Sequence, residues 1–251
     1  DFIHPQTLEI THHMAVRDGS DMVAFTYDRI YRPQLMVRHY LKMDTDNVVP
    51  KRINKKYKLD KIPTIVTDDV FAYATEKMVN VPRKKKKWMI KHCQVWKHLY
   101  RKSLIADIPY VKGILFEDFP WWSQVMLRNP RVTITNLPLY FYVPNFGGIV
   151  LSAKQLKIMK SLCAGLMHAW TQYQKSATPY QMKMWSENFQ WHFINKAFGK
   201  IKYLDGQDDV RAARECFREL ERIGALDWPP FKWAKKLRAQ ICDFIKTCSV
   251  E

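Results

Sequence analysis

The chain has 251 residues, 47% of them hydrophobic and 14% aromatic, with a formal net charge of +17 from 41 Lys and Arg against 24 Asp and Glu. This content excludes a disordered chain and is enough to bury the core of one or two domains. No apolar run is long enough to span a bilayer and no leader is expected in these residues, while the positive field suits nucleic acid, anionic headgroups or phosphorylated small molecules without choosing among them.

In chain order, Pro5 can open a helix that runs through Thr7-Leu8-Glu9-Ile10 to Ala15-Val16 and is stopped by Asp18-Gly19. Asp21 to Tyr27 has the length and apolar content of a buried strand. Residues 32–62 are basic and irregular, with Lys51, Arg52, Lys55, Lys56 and Lys58 crowded together. Thr67-Asp68-Asp69 reads as a helix start leading into Val70 to Ala74. Arg83 to Lys87 form a basic run, read as a solvated loop, and Trp88 to Leu104 a mixed amphipathic segment. A short strand, Gly113-Ile114-Leu115, is expected before Glu117, then a helix over 119–128 with Pro120 in its first turn. Val132 to Thr135 and Leu139 to Tyr142 read as two strands, closed by Pro144 and the Gly147-Gly148 turn.

After Ser152 helical periodicity takes over. Leu156, Met159, Leu162, Cys163 and Leu166 mark one segment, and Met182, Trp185, Phe189 and Phe193 the next. A third helix runs from about Asp208 to Ile223 and stops at Gly224. The last carries Ala234, Leu237, Ile241, Ile245 and Cys248 on one face, with Lys232, Lys235, Lys236, Arg238 and Lys246 outside it. Such a helix either packs on its neighbours or lies on an anionic membrane. The chain thus divides into an α/β part, residues 1–151, and a helical tail, residues 152–251. Cysteines 93, 163, 216, 242 and 248 have no CxxC spacing and read as reduced thiols. His12, His13, His92 and His168 have no metal-ligand spacing.

The chemistry concentrates in Phe116-Glu117-Asp118-Phe119-Pro120-Trp121-Trp122. A carboxylate in apolar company has a perturbed pKa or a buried partner, so Asp118 is the candidate general base. Glu117-Asp118 also suits a helix N-terminus. Trp121 and Trp122 can stack on a sugar face, although core packing is the commoner use of Trp.

Trp96-Lys97-His98-Leu99-Tyr100-Arg101, the Glu117-Asp118 pair, and Leu139-Tyr140-Phe141-Tyr142 occur in an order and spacing that resemble the C-terminal half of the catalytic domain of glycosyltransferase family 2. The start, from Asp1 to Tyr27, is similar to the segment directly after that family's metal-binding Asp-x-Asp. The resemblance covers residues 1 to about 152 and implies a GT-A-like mixed sheet with flanking helices, ahead of an α-helical C-terminal region. It further implies that the chain begins inside the catalytic domain, with the nucleotide-binding half upstream.

The implied activity is inverting transfer of a sugar (a hexosyltransferase type) from a nucleoside-diphosphate sugar to a hydroxyl of a glycan or lipid-linked acceptor. Asp118 would be the base, Glu117, Trp121, Trp122 and His98 would bind the acceptor, and Asp1 would lie near Mg²⁺ or Mn²⁺. The implied setting is bacterial cell-surface polysaccharide or lipooligosaccharide synthesis, in the cytoplasm or on the inner face of the cell membrane, with no specific nucleic acid. Two departures stand out: Lys97-His98 replaces the usual Asn-Lys, and Val143-Pro144 comes after Tyr142 where many members have Arg or His. The alternatives are a non-catalytic basic module at a membrane surface and a nucleic-acid-binding protein.

Overall fold

The computed structural model describes residues 1–31, 61–71, 93–227 and 232–247. The basic stretches at 51–58 and 83–87, residues 72–74 of the helix expected over 70–74, and Cys248 lie outside them. The chain forms two compact units whose segments alternate along the sequence. Residues 107–128, read as part of the α/β half, belong to the helical unit, and the expected boundary near 151 falls within a short helix, α4 (Ile149–Ser152).

The first unit is a mixed sheet built on two long strands, β2 (Met22–Arg29) and β5 (Val132–Tyr142), which run parallel. β1 (Phe2–Ile3) and β3 (Thr64–Thr67) pair antiparallel with β5, and β4 (His98–Tyr100) antiparallel with β2. The two strands read in 132–142 are one. Asn136-Leu137-Pro138 carries turn chemistry, but the strand continues past a register shift at Thr26, which pairs with Pro138 and whose hydroxyl donates to the Asn136 carbonyl at 3.0 Å. A bulge tolerates a residue without an N–H.

Helix α1 (Thr7–Asp18) ends as the sequence predicts: Gly19 is left-handed at φ 63°, and its N–H returns to the last turn. Its apolar face places Ile10 and Met14 in a core with Val23, Phe25, Ile62 and Leu139, each buried aliphatic contributing roughly 1.5–3 kcal/mol. Thr67 closes β3, and its hydroxyl accepts from the Asp69 N–H at 3.0 Å. Asp68 pairs with Arg131 at 2.7 Å. A one-turn helix, α2 (Lys102–Ile105), comes after β4.

The second unit is helical: α3 (Asp118–Leu127), α4, α5 (Gln155–Ser176), α6 (Pro179–Trp185), α7 (Trp191–Phe198), α8 (Gly206–Arg222) and α9 (Lys232–Lys246). Thr178 and Gln181 form a reciprocal capping box at α6. One π turn, Ser186–Gln190, joins α6 to α7. A Cβ at Gly165 would meet Phe119 and Pro120 at 3.5 Å, so α3 and α5 approach closely there. The core is aromatic, with Trp122, Tyr173, Trp185, Trp191 and Phe217 fully buried. Ala234, Leu237, Ile241 and Ile245 of α9 are buried too, and Phe198, Phe217 and Phe244 meet edge-to-face at 5.5–6.2 Å. The apolar stripe of α9 is therefore used inside its own unit, leaving a basic outer face. Among the described residues no helix is long and apolar enough to cross a membrane. The fold class is thus mixed α/β with a helical C-terminal region.

Candidate active site

The strand expected at Gly113-Ile114-Leu115 is absent. Gly113 at φ 78° and Phe116 at φ 62° both break extension, so a loop delivers Glu117 and Asp118 to the start of α3. A left-handed aromatic residue costs roughly 1–2 kcal/mol. The conformation is held from both sides: the Phe119 N–H donates to the Phe116 carbonyl at 3.1 Å, and the Lys196 ammonium lies 4.2 Å from the Phe116 ring centroid.

Glu117, at the N-cap position, is exposed, and its side chain makes no capping bond. Asp118 is half-buried in the first turn. Burial, then the neighbouring Glu117 charge, push its carboxyl up to about 6. The backbone N–H groups of Asp118 and Phe119 and the Lys196 ammonium pull the other way without prevailing. Burial in turn lowers Lys196, and the Tyr110 hydroxyl is raised by burial and by the charges of Asp118 and Glu117. Chemically, this is a carboxyl that ionises just below neutrality, beside a second carboxylate and a cation.

Trp121 and Trp122, expected to stack on an acceptor, are interior residues. Trp122 is fully buried and meets Phe189 at 5.1 Å. Trp121 donates its indole N–H to the Ile108 carbonyl at 2.9 Å, and one face is covered by Tyr110 at 5.2 Å. Neither offers an open face, because α3 is buried nearly all round, with Phe119, Pro120, Ser123, Val125 and Met126 buried beside them. The ring exposed beside them is Tyr110. Sequence reasoning missed Tyr110 and Lys196. Tyr110 precedes the motif in the loop between α2 and α3, and Lys196 lies on a helix assigned to the tail.

His98 and Asp1 belong to the first unit. His98 is a sheet residue of β4, opposite Ala24, and its Nδ1 is 3.1 Å from the Tyr100 hydroxyl. The block around it folds as a wall on β2 and β5. Trp96 stacks on Tyr140 at 4.2 Å and on Tyr142 at 5.9 Å, with Tyr27 edge-on at 5.2 Å. The buried Lys97 places its ammonium 5.1 Å from the Tyr27 centroid and 5.5 Å from that of Trp96. Two of the motifs that carry the resemblance, 96–101 and 139–142, are thereby in contact.

Asp1 is exposed; its Oδ2 accepts from the Tyr140 hydroxyl and its Oδ1 from the Val143 N–H, both at 2.8 Å. Each oxygen keeps a lone pair, so Asp1 fits as one ligand of a hard cation. Among the described residues no three His, Cys, Asp or Glu side chains gather closely enough to hold a metal. Asp1 thus fits a shared ligand position, not a complete site. Neither a protein-family model nor a curated protein matches the sequence.

Proposed function

We propose that the chain is part of an inverting glycosyltransferase of the GT-A type, transferring a sugar from a nucleoside-diphosphate sugar to a hydroxyl of a glycan or lipid-linked acceptor. The observation that carries this reading is the Asp118 carboxyl, half-buried at the head of α3 and raised to about 6. An acceptor hydroxyl must lose its proton as it attacks the anomeric carbon, and a base that ionises near working pH takes that proton most effectively. Glu117, exposed alongside, is suited to orient the acceptor hydroxyl. The Lys196 ammonium favours the ionised form of Asp118, less than the backbone N–H groups do. Asp1 would contribute one oxygen to Mg²⁺ or Mn²⁺, which when bound neutralises the departing diphosphate. A location in the cytoplasm or on the inner face of the membrane, and a role in building cell-surface glycan, belong to the same proposal.

The test uses the longest reading frame that contains residues 1–251, screened against a panel of nucleoside-diphosphate sugars with product detected by mass. Asp118→Asn should reduce turnover by about 10²–10⁴-fold with the circular dichroism spectrum unchanged. Undiminished transfer by Asp118→Asn would remove Asp118 as the base.

A further inference from the structure

The helical unit contains a cleft of about 850 Å³, lined by the Gly113-Ile114 loop, the start of α5 and the segment from Tyr203 to Asp209. Clefts of this size take small organic ligands. Lys154, Lys157 and Lys160 recur every third residue and line it from the start of α5. Asp205 and Asp209, which bracket the start of α8, line it as well, together with the ring of Tyr203, which is 55% exposed. Among the described residues none of these three ammonium groups and neither carboxylate is in an ion pair.

A bare anion would engage the lysines but would be repelled by Asp205 and Asp209. A neutral sugar would donate to the carboxylates but leave three cations unused. A molecule with an anionic group at one end and several hydroxyls at the other satisfies both sets, and its C–H face suits the side of the Tyr203 ring not taken by the Lys202 ammonium, 4.7 Å from the ring centroid.

We propose that this cleft binds a phosphorylated sugar, with the phosphate on Lys154, Lys157 and Lys160 and ring hydroxyls donating to Asp205 and Asp209. The same loop runs on from Gly113 and Ile114 to Phe116 and Asp118. Identifying this ligand as the acceptor rests on the glycosyltransferase reading; the binding itself does not.

The test is calorimetric titration of the full chain with glucose 6-phosphate, glucose and inorganic phosphate in turn. Glucose 6-phosphate should bind about tenfold or more tighter than either fragment. Lys157→Glu with Lys160→Glu should weaken it by a further tenfold or more, and Asp205→Asn with Asp209→Asn should weaken glucose 6-phosphate while sparing inorganic phosphate. Unchanged melting temperatures qualify each variant, and Lys157→Gln alone replaces a pair that fails to fold. Co-sedimentation with vesicles carrying a polyprenyl-phosphate-linked hexose, against plain phosphatidylcholine vesicles, identifies a lipid-borne source; a free source shows in the titration alone, and either supports the proposal. Absence of saturable binding in both formats overturns it, as does indifference to the lysine variants. Equal affinity for inorganic phosphate and glucose 6-phosphate overturns the sugar assignment. Because no readout is sugar transfer, inactivity of Asp118 leaves these outcomes intact.

Discussion

Asp118→Asn should make the protein more stable at neutral pH while removing its proposed base. Raising a carboxyl from 3.8 to about 6, at about 1.4 kcal/mol per pH unit, makes the ionised folded state about 3 kcal/mol less favourable. The folded-state pKa lies above the unfolded one, so nothing is lost below about pH 4, where both states are protonated. Between about pH 4 and 6 the unfolded chain releases the proton while the folded one holds it, and stability falls by about 1.4 kcal/mol per pH unit. Above about pH 7 the loss is complete. Asn keeps the shape and the acceptor oxygen for the backbone N–H groups and has no charge to desolvate. The advantage of the variant should therefore rise from near zero at about pH 4 to a plateau of roughly 1–3 kcal/mol above pH 7, water at the half-buried carboxylate setting the lower figure. Urea denaturation followed by tryptophan fluorescence across that range measures it. Parallel stability curves for the two proteins, or a wild type that is the more stable at pH 8, would refute the reasoning.

The same carboxyl should give kcat/KM an acidic limb near pH 6, rising with pH as Asp118 ionises; Lys196→Met, which removes the cation that holds Asp118 down, should move that limb upward, and an unmoved limb would disconnect the two residues. Phe217, fully buried against Phe198 and Phe244, should cost about 3–5 kcal/mol when cut to Ala, read as a lower urea midpoint, and a loss below 1 kcal/mol would contradict the packing. Cys216 hydrogen-bonds with Cys163 and is held down at about 7, first by that bond and further by Lys160, whereas Cys163 is fully buried and raised. Iodoacetamide at about pH 7.5 should therefore label Cys216 well before Cys163, and peptide mapping showing the reverse order would refute this.

The elements legible in the sequence are those whose signal is local and repeated. Asp18-Gly19 ends α1 because only a left-handed residue closes that turn, and the spacing of Ala234, Leu237, Ile241 and Ile245 marks the buried face of α9 directly. What escaped depends on distant partners. β5 read as two strands because Pro138 looks like a break, and only its pairing with β2 across a bulge makes the strand continuous. β3 is four residues long in a polar setting and exists through its pairing with β5. Gly113-Ile114-Leu115 had the apolar character of a strand, but three residues cannot outweigh two left-handed positions. At the site, the acid pair and its helix were readable, whereas Lys196 reaches Asp118 only through tertiary packing, and the interior placement of Trp121 and Trp122 comes from a helical core whose members lie 50 residues and more downstream.

The direction of the Asp118 shift bears on whether the pair is more than a helix start. A carboxylate in the first turn of a helix is ordinarily stabilised by the N–H groups there, by about 0.3–1 kcal/mol, and its pKa falls. Asp118 has those donors and a nearby ammonium, yet its pKa rises, because burial and the adjacent Glu117 outweigh both. The net is about 3 kcal/mol against the fold, with the favourable contribution of the helix start, at most about 1 kcal/mol, already counted in it. The left-handed Phe116 adds strain in the same short segment. Capping does not account for an arrangement that destabilises the helix start it would cap, whereas a general base requires a carboxyl raised toward neutrality and partly shielded from water. A variant that is more stable and inactive satisfies both halves of this argument; one that is more stable and fully active would leave the energetic account standing and move the chemistry elsewhere.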